Sequence, residues 1–181
     1  MTRLLILLAL LLMCAGPAAA DSAVPPAPAS TGKPAASADD SAGLDQPAMD
    51  DTGLLTWAAS AASDIMTFSN KDFQQRFIAT SRHFTKGGWQ GFSAQLKNSG
   101  RFDAVLKNNL SLSSQPGAAP VIREQGVVEG KYRWRVDFPL IVRSKGSDDV
   151  HEETLQVHLV IQRVPVSDSP NGIQISQWDA Q

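Results

Sequence analysis

Cysteine is almost absent from this chain of 181 residues, because Cys14 is the single cysteine and lies in an apolar run near the N-terminus. A chain without that run can form no disulfide and no thiolate metal site, so its fold must rest on a packed core. Strong charge is missing as well. The formal net charge is −2, and residues 52–181 carry fourteen Lys and Arg against twelve Asp and Glu. Such a small excess gives no reason to expect a nucleic-acid partner.

A hydrophobic run long enough to cross a membrane is also missing. The run from Leu4 to Cys14 has eleven residues and stops at Gly16-Pro17, whereas a spanning helix needs about twenty apolar residues. Its start after Arg3 and the small residues Ala18 to Ala20 are typical of a secretory signal peptide. We therefore predict a signal peptide over residues 1–20 and export to the periplasm.

Two other fates of this N-terminus remain open. Lipid attachment at Cys14 would make the chain a lipoprotein, although Met13 is larger than the residue that usually precedes such a cysteine. An uncleaved segment would anchor the chain in the inner membrane, so membrane contact is expected only if the N-terminus is retained.

The residue types of catalytic and metal sites are sparse. Two of the three histidines, His151 and His158, are seven residues apart on one predicted strand and would point to opposite faces. Neither an H-E-x-x-H nor a G-x-S-x-G motif occurs. Asp137 is the one acid in an apolar strand and is expected to pair with Arg133 or Arg135. We predict no catalytic residue, no metal site, no cofactor and no small-molecule substrate.

Composition divides the rest of the chain into two parts. Residues 21–50 are mostly Ala, Pro, Ser, Asp and Gly, so they cannot bury enough apolar surface to offset the entropy of ordering. We predict a disordered linker over residues 21–50 and one folded domain over residues 51–181, a length that can bury a good core.

Helices are predicted in the first half of this domain. Three apolar stripes at helical spacing each follow residues that can cap a helix. The predicted caps are Asp51 or Thr52, then Ser69 or Asn70, then Thr85.

Strands are predicted after Asn108, where the apolar period becomes alternating. Residues 132–142 and 155–161 each place one apolar row on a single face. Pro139 lacks a backbone donor and predicts an edge position or a bulge, and another bulge is expected at Gly126. Helices followed by such strands predict an α+β domain, with N-terminal helices on one face of a curved antiparallel sheet. That layout is compatible with the cone of nuclear-transport-factor-2-like proteins.

Four sequence blocks in order carry a resemblance to one family. They are LLTWAASAASDIMTFSNKDF, HFTKGGWQGFSAQLKNSGRFDAVL, APVIREQGVVEGKYRWRVDFPLIV and RVPVSDSPNGIQISQ. Together they resemble the periplasmic domain of the DotI/IcmL family of type IVB secretion systems, which includes TraM of conjugative plasmids. The last block is the most distinctive, and we predict that it is a turn that sets the register of the last strand.

The resemblance implies a non-enzymatic scaffold with a cone similar to the VirB-type periplasmic domain, which self-associates and contacts other subunits of the secretion channel. The predicted signal peptide stands where family members have a membrane helix, which favours a soluble accessory protein over a core channel subunit. The alternative is a free periplasmic ligand-binding module or small enzyme that uses the cone cavity. A polar cavity would favour the alternative, and a cone filled by Trp134 and Phe138 would favour the scaffold.

An assembly domain needs a surface for its partner. The sheet face opposite the helices is predicted to carry Arg133, Arg135 and His158, and arginine is enriched at interfaces. Trp178 is out of phase with the isoleucines before it, so it is either exposed or folded back over the core. We name Arg133, Arg135, His158 and Trp178 as the candidate interaction surface, and an idle, solvated strand face is the competing interpretation.

The mature protein is expected to begin at Asp21 and to be released with the periplasmic fraction, because the apolar run is short and three alanines follow it. N-terminal sequencing and cell fractionation test this expectation. A sequence that starts at Met1, or retention in the membrane pellet after a salt wash, would contradict the signal peptide.

Overall fold

The computed structural model of the protein describes residues 43–181, so the predicted signal peptide and most of the predicted linker lie outside the described residues. The described helices are α1 (Asp51–Ile65), α2 (Phe73–Ser81), α3 (Lys86–Asn98) and α4 (Arg101–Lys107). The strands are β1 (Phe68–Ser69), β2 (Ser111–Pro116), β3 (Val121–Val128), β4 (Lys131–Lys145), β5 (Val150–Arg163) and β6 (Ile173–Ala180). Within residues 43–181, none of the helices has the length and apolar character needed to span a bilayer.

The six strands form one antiparallel sheet in the order β1-β2-β4-β5-β6, with β3 paired to β4. β5 pairs along one edge of β4, while β2 and β3 pair with consecutive parts of the other edge. Helices α1 and α3 cover one face, α1 against β2 and β4 and α3 against β6. The predicted α+β class, with helices on one face of a curled antiparallel sheet, is confirmed.

Capping residues set the starts of the helices. Thr85 caps α3 as predicted, since its hydroxyl accepts a hydrogen bond from an amide of the first turn. Asp50 caps α1 in the same way, just before the predicted position. Helix α2 begins only at Phe73, because the carboxylate of Asp72 accepts hydrogen bonds from the amide and hydroxyl of Ser69 and holds a turn there.

Pro139 lies in the central strand rather than at an edge. β2 pairs as far as Leu140 and β3 pairs from Asp137, so Pro139 faces the junction between these two partners. Its carbonyl accepts a hydrogen bond from Gly117 N (2.8 Å) at this junction. Because the N–H and C=O of a strand residue point the same way, the missing donor also faces the junction, where no ladder bond is lost.

Bulges interrupt β3 and β6. In β3 the register shifts around Arg123, so the bulge predicted at Gly126 is wrong. In β6 Ser176 is the extra residue, since Ile175 and Gln177 pair with consecutive residues of β5. A bulge reverses the alternation, so each later side chain points to the face opposite the one that regular alternation would give it.

One core lies between the helices and the inner face of the sheet. The buried side chains of β4 and β5 alternate as the sequence predicts. The fully buried side chains of the two strands include Trp134, Val136, Leu140, Val142, Val157, Leu159 and Ile161. Helix α1 packs Leu54, Ala58 and Ala62 into this core, and its small alanines allow close approach to the sheet.

The loop between β5 and β6 is the predicted turn. Gly172 has a φ of 65°, which favours glycine, and a Cβ at this position would collide with the guanidinium of Arg163. Arg163 Nη1 donates to the carbonyl of Gly172 (2.7 Å), and Val164 N donates to the same carbonyl (3.0 Å). These bonds hold the start of β6 beside the end of β5.

The folded domain begins before the predicted boundary. Leu44 is buried in the core, and its carbonyl accepts a hydrogen bond from Tyr132 N (2.7 Å). Arg163 Nη2 also reaches the carbonyl of Gly43 (3.4 Å). The assignment of residues 43–50 to the linker is therefore wrong, because they pack against the sheet as part of the domain.

Leu44→Ala is expected to lower the free energy of unfolding by about 2 kcal/mol, the lower end for removal of a buried leucine side chain. Urea unfolding of the variant and the wild type measures the difference. Val166→Ala is the control, because this valine is exposed and its truncation should change little. A change at Leu44 as small as that at Val166 would show that residues 43–50 do not contribute to stability.

Candidate protein-interaction surface

The face of the sheet turned away from the helices, here called the outer face, carries the polar side chains of β4, β5 and β6. Arg133, Arg135 and His158 lie on it, because they alternate with the buried side chains of their strands. The structure therefore brings three of the four predicted surface residues to one face.

Trp178 does not belong to this surface. Its side chain is 7% exposed and packs against Phe84 and Phe92, with ring centroids 6.4 and 5.5 Å away. The bulge at Ser176 explains this position, because it turns Trp178 to the same inner face as Ile175. Its inclusion in the candidate surface is wrong, and the interpretation of a ring folded over the core is confirmed.

Asp137 is the centre of the outer face, but its partners differ from those predicted. Its Oδ1 lies 2.9 Å from His158 Nδ1, and its Oδ2 lies 3.1 Å from Arg123 Nε. Burial raises the pKa of Asp137, but the hydrogen bonds and charges of His158 and Arg123 outweigh burial and hold the pKa below its usual value. The carboxylate is thus ionised at neutral pH, and the predicted pairing with Arg133 or Arg135 is wrong.

The two arginines pair instead with acids of β3 and of the turn after it. Arg135 Nη1 lies 3.2 Å from Glu124 Oε1, and Arg133 Nη2 lies 2.9 Å from Glu129 Oε2. The side chain of Arg135 is 58% exposed, whereas that of Arg133 is partly covered. An exposed ion pair contributes about 0–1 kcal/mol, so a carboxylate of another protein can replace Glu124 at little cost.

A groove of about 540 Å³ crosses the outer face. We call it the outer groove, and its polar lining residues are Arg135, Asp137, His158, Gln177, Asp179 and Gln181. Both signs of charge occur within it, and its walls are paired strands. Such a surface can form hydrogen bonds and ion pairs with the side chains of another protein.

Several residues of the outer face could not be recognised from the sequence. Gln177 and Asp179 reach it only because the bulge at Ser176 reverses the phase of β6. Arg123 reaches Asp137 from the bulge of β3. Both bulges depend on how the strand pairs with its neighbour, so the alternation within one strand carries no signal for them.

The interior of the cone leaves little room for a ligand. The cleft between α3, β5 and β6 has a volume of about 40 Å³, far below the roughly 300–1,000 Å³ of ligand pockets. Trp134 and Phe138 are buried and belong to the core between the helices and the sheet. Within residues 43–181, no group of three or more His, Cys, Asp and Glu side chains could hold a metal ion.

Comparison with solved structures defines the class to which this fold belongs. The periplasmic domain of DotI (crystal form I) is 33% identical with a TM-score of 0.72, and the match covers 74% of this chain and 96% of that one. A periplasmic fragment of TraM is 20% identical with a TM-score of 0.68, covering 73% and 97%. CagV, a VirB8 homologue from Helicobacter pylori, is 10% identical with a TM-score of 0.55, covering 72% and 98%. The fold is that of the VirB8-like domains of type IV secretion systems.

The family is defined by the sequence itself. Residues 30–181 match the DotI/IcmL family, described as an inner-membrane complex component of the type-IV b secretion system. The chain belongs to this family, and the resemblance seen in the four sequence blocks is confirmed. The comparison with curated proteins found no match.

Trp178→Ala is expected to lower the free energy of unfolding by about 3–5 kcal/mol, as for other buried large aromatic residues. Gln177→Ala is the matched control, because it removes the neighbouring side chain that points to solvent. Chemical denaturation of both variants measures the difference. Equal, small losses in the two variants would show that Trp178 is exposed.

Proposed function

We propose that this chain acts as a non-enzymatic periplasmic domain that assembles with other subunits of a type IV secretion or conjugation apparatus. The observation that carries the proposal is the filled interior, in which Trp134 and Phe138 are buried and the cleft beside α3 has a volume of only about 40 Å³. With its interior filled, the domain acts through contacts at its surface. The filled interior also favours this proposal over a ligand-binding module or a small enzyme.

The periplasmic location is part of the proposal. It is supported by the likeness to DotI, because the solved DotI structure is a periplasmic domain. The predicted signal peptide provides a route of export. A cleaved N-terminus would give a soluble accessory subunit, and a retained one would give a subunit held at the inner membrane.

The outer groove is the surface that we assign to a partner subunit of the apparatus. Arg135 is largely exposed there and lies beside the Asp137–His158 pair. A surface with both charges selects a partner by electrostatic complementarity, since a wrong pairing of like charges is costly. We also propose that the chain self-associates, as the family resemblance implies.

Arg135→Glu is the variant that tests the outer groove. It should leave the melting temperature nearly unchanged, because the pair with Glu124 is exposed and contributes about 0–1 kcal/mol. It should strongly reduce co-purification of the other secretion subunits from native cell envelopes, because it reverses the charge of one wall. Arg133 is a poorer choice, since its Nε is buried and the substitution would also disturb the fold.

Lys86→Glu is the control for this experiment. It makes the same change of charge at an exposed position on the helical side of the domain. Partner recovery should therefore be lost in Arg135→Glu and retained in Lys86→Glu. If both folded variants recover the partners as well as the wild type does, the outer groove is not the contact surface.

A further inference from the structure

β3 presents an open edge. Among residues 43–181, β3 pairs with β4 alone, and no backbone hydrogen bond from another described segment reaches its second edge. Val121, Val127 and Val128 are 45%, 54% and 45% exposed. An edge strand with exposed apolar side chains and no proline is a template for pairing with another strand.

The pairing with β4 fixes the face to which each β3 side chain points, because opposite residues of an antiparallel pair share a face. Glu124 is opposite the outward Arg135, and Gln125 is opposite the buried Trp134. The outward side chains are Val121, Glu124, Gly126 and Val128. The inward side chains are Ile122, Gln125 and Val127. Arg123 is the extra residue of the bulge.

We propose that β3 pairs antiparallel with β3 of a second copy of this chain, around a twofold axis at Gln125. Gln125 then faces Gln125, and Glu124 faces Gly126. With Arg123 left out of the ladder as the bulge residue, the outer pairs of each half are Ile122 with Val127 and Val121 with Val128.

The observation that favours a second copy is the self-complementarity of this strand. Once Arg123 is left out of the ladder, the register that joins Val121 to Val128 and Ile122 to Val127 pairs side chains of the same face. The apolar ends of one copy meet the apolar ends of the other. Each Glu124 meets a glycine instead of a second carboxylate, so like charges do not face each other.

The dimer would also cover the exposed valines. Two six-stranded sheets would join into one continuous sheet, and β3 would become an internal strand in each copy. Both outer faces would then lie on the same side of the joined sheet, since opposite residues of paired strands share a face. The two outer grooves would thus be presented together to a partner.

This inference rests on the self-association in the proposed function, and a pair of double variants tests it separately. Val121→Lys with Val128→Lys places like charges opposite each other across the axis, whereas Val121→Lys with Val128→Glu places opposite charges there. All changed side chains are exposed, so each copy should still fold. We expect the first variant to weaken the dimer about tenfold or more, equivalent to about 1.4 kcal/mol, and the second to remain dimeric.

Analytical ultracentrifugation of the purified, exported protein at several concentrations gives the dissociation constants. Ile78→Lys with Val150→Lys is the control, because it adds two lysines at exposed apolar positions outside β3. It should dimerise like the wild type.

Cross-linking tests the register. In a chain that also carries Cys14→Ser, Gln125→Cys should form a disulfide-linked dimer under mild oxidation, because this residue faces itself across the axis. Val128→Cys should not, because its opposite residue is Val121 and the two copies of position 128 lie at opposite ends of the strand.

The outcomes separate the inference from the proposed function. If the wild type is a dimer and both lysine and lysine–glutamate variants dimerise equally well, β3 is not the interface, although self-association remains. If the wild type stays monomeric at all concentrations, both the β3 dimer and self-association are wrong, while the contact tested by Arg135→Glu is unaffected. Cross-linking through Val128→Cys but not Gln125→Cys would overturn the proposed register.

Discussion

The contact between α3 and β6 is the constraint on which the rest of the structure depends. Gly88 lies against the backbone of Ile175 and Ser176, and a Cβ there would collide with the Ile175 carbonyl. That carbonyl accepts a hydrogen bond from Thr85 N (2.9 Å), while Ile175 N donates to the carbonyl of His83 (2.8 Å). Because Gly88 has no side chain, the helical layer can reach the backbone of the last strand, where Phe84 forms an isolated β-bridge with Ile175.

This close approach explains why the interior is a core and not a pocket. With α3 held against β6, Phe84 and Phe92 reach Trp178, and the aromatic rings fill the end of the cone. Trp134 fills the space above β4 in the same way. Because the inner face is packed into the core, the proposed contacts with other proteins fall on the outer face and on the open edge of β3.

Much of this arrangement can be predicted from the sequence, and the features that cannot be predicted share one cause. The alternation in β4 and β5 gave the inner and outer faces correctly, and Thr85 marked the start of α3. The inward position of Trp178 could not be predicted, because it depends on a bulge. A bulge arises from pairing with the partner strand, and local periodicity carries no information about that pairing. The burial of Leu44 could not be predicted for a related reason: a single leucine in a polar stretch has no periodic pattern, and its backbone bonds to Tyr132, a residue far along the chain.

The two bulges therefore decide which side chains of β3 and β6 reach each face of the sheet. The bulge at Ser176 sends Trp178 inward, where it joins the core, and sends Gln177 and Asp179 outward, where they line the outer groove. The bulge at Arg123 brings that arginine to Asp137 and also turns Val121 to the same face as Val128, as the proposed pairing with a second copy requires. Without the bulge, Val121 and Val128 would point to opposite faces and could not lie opposite each other in that pairing.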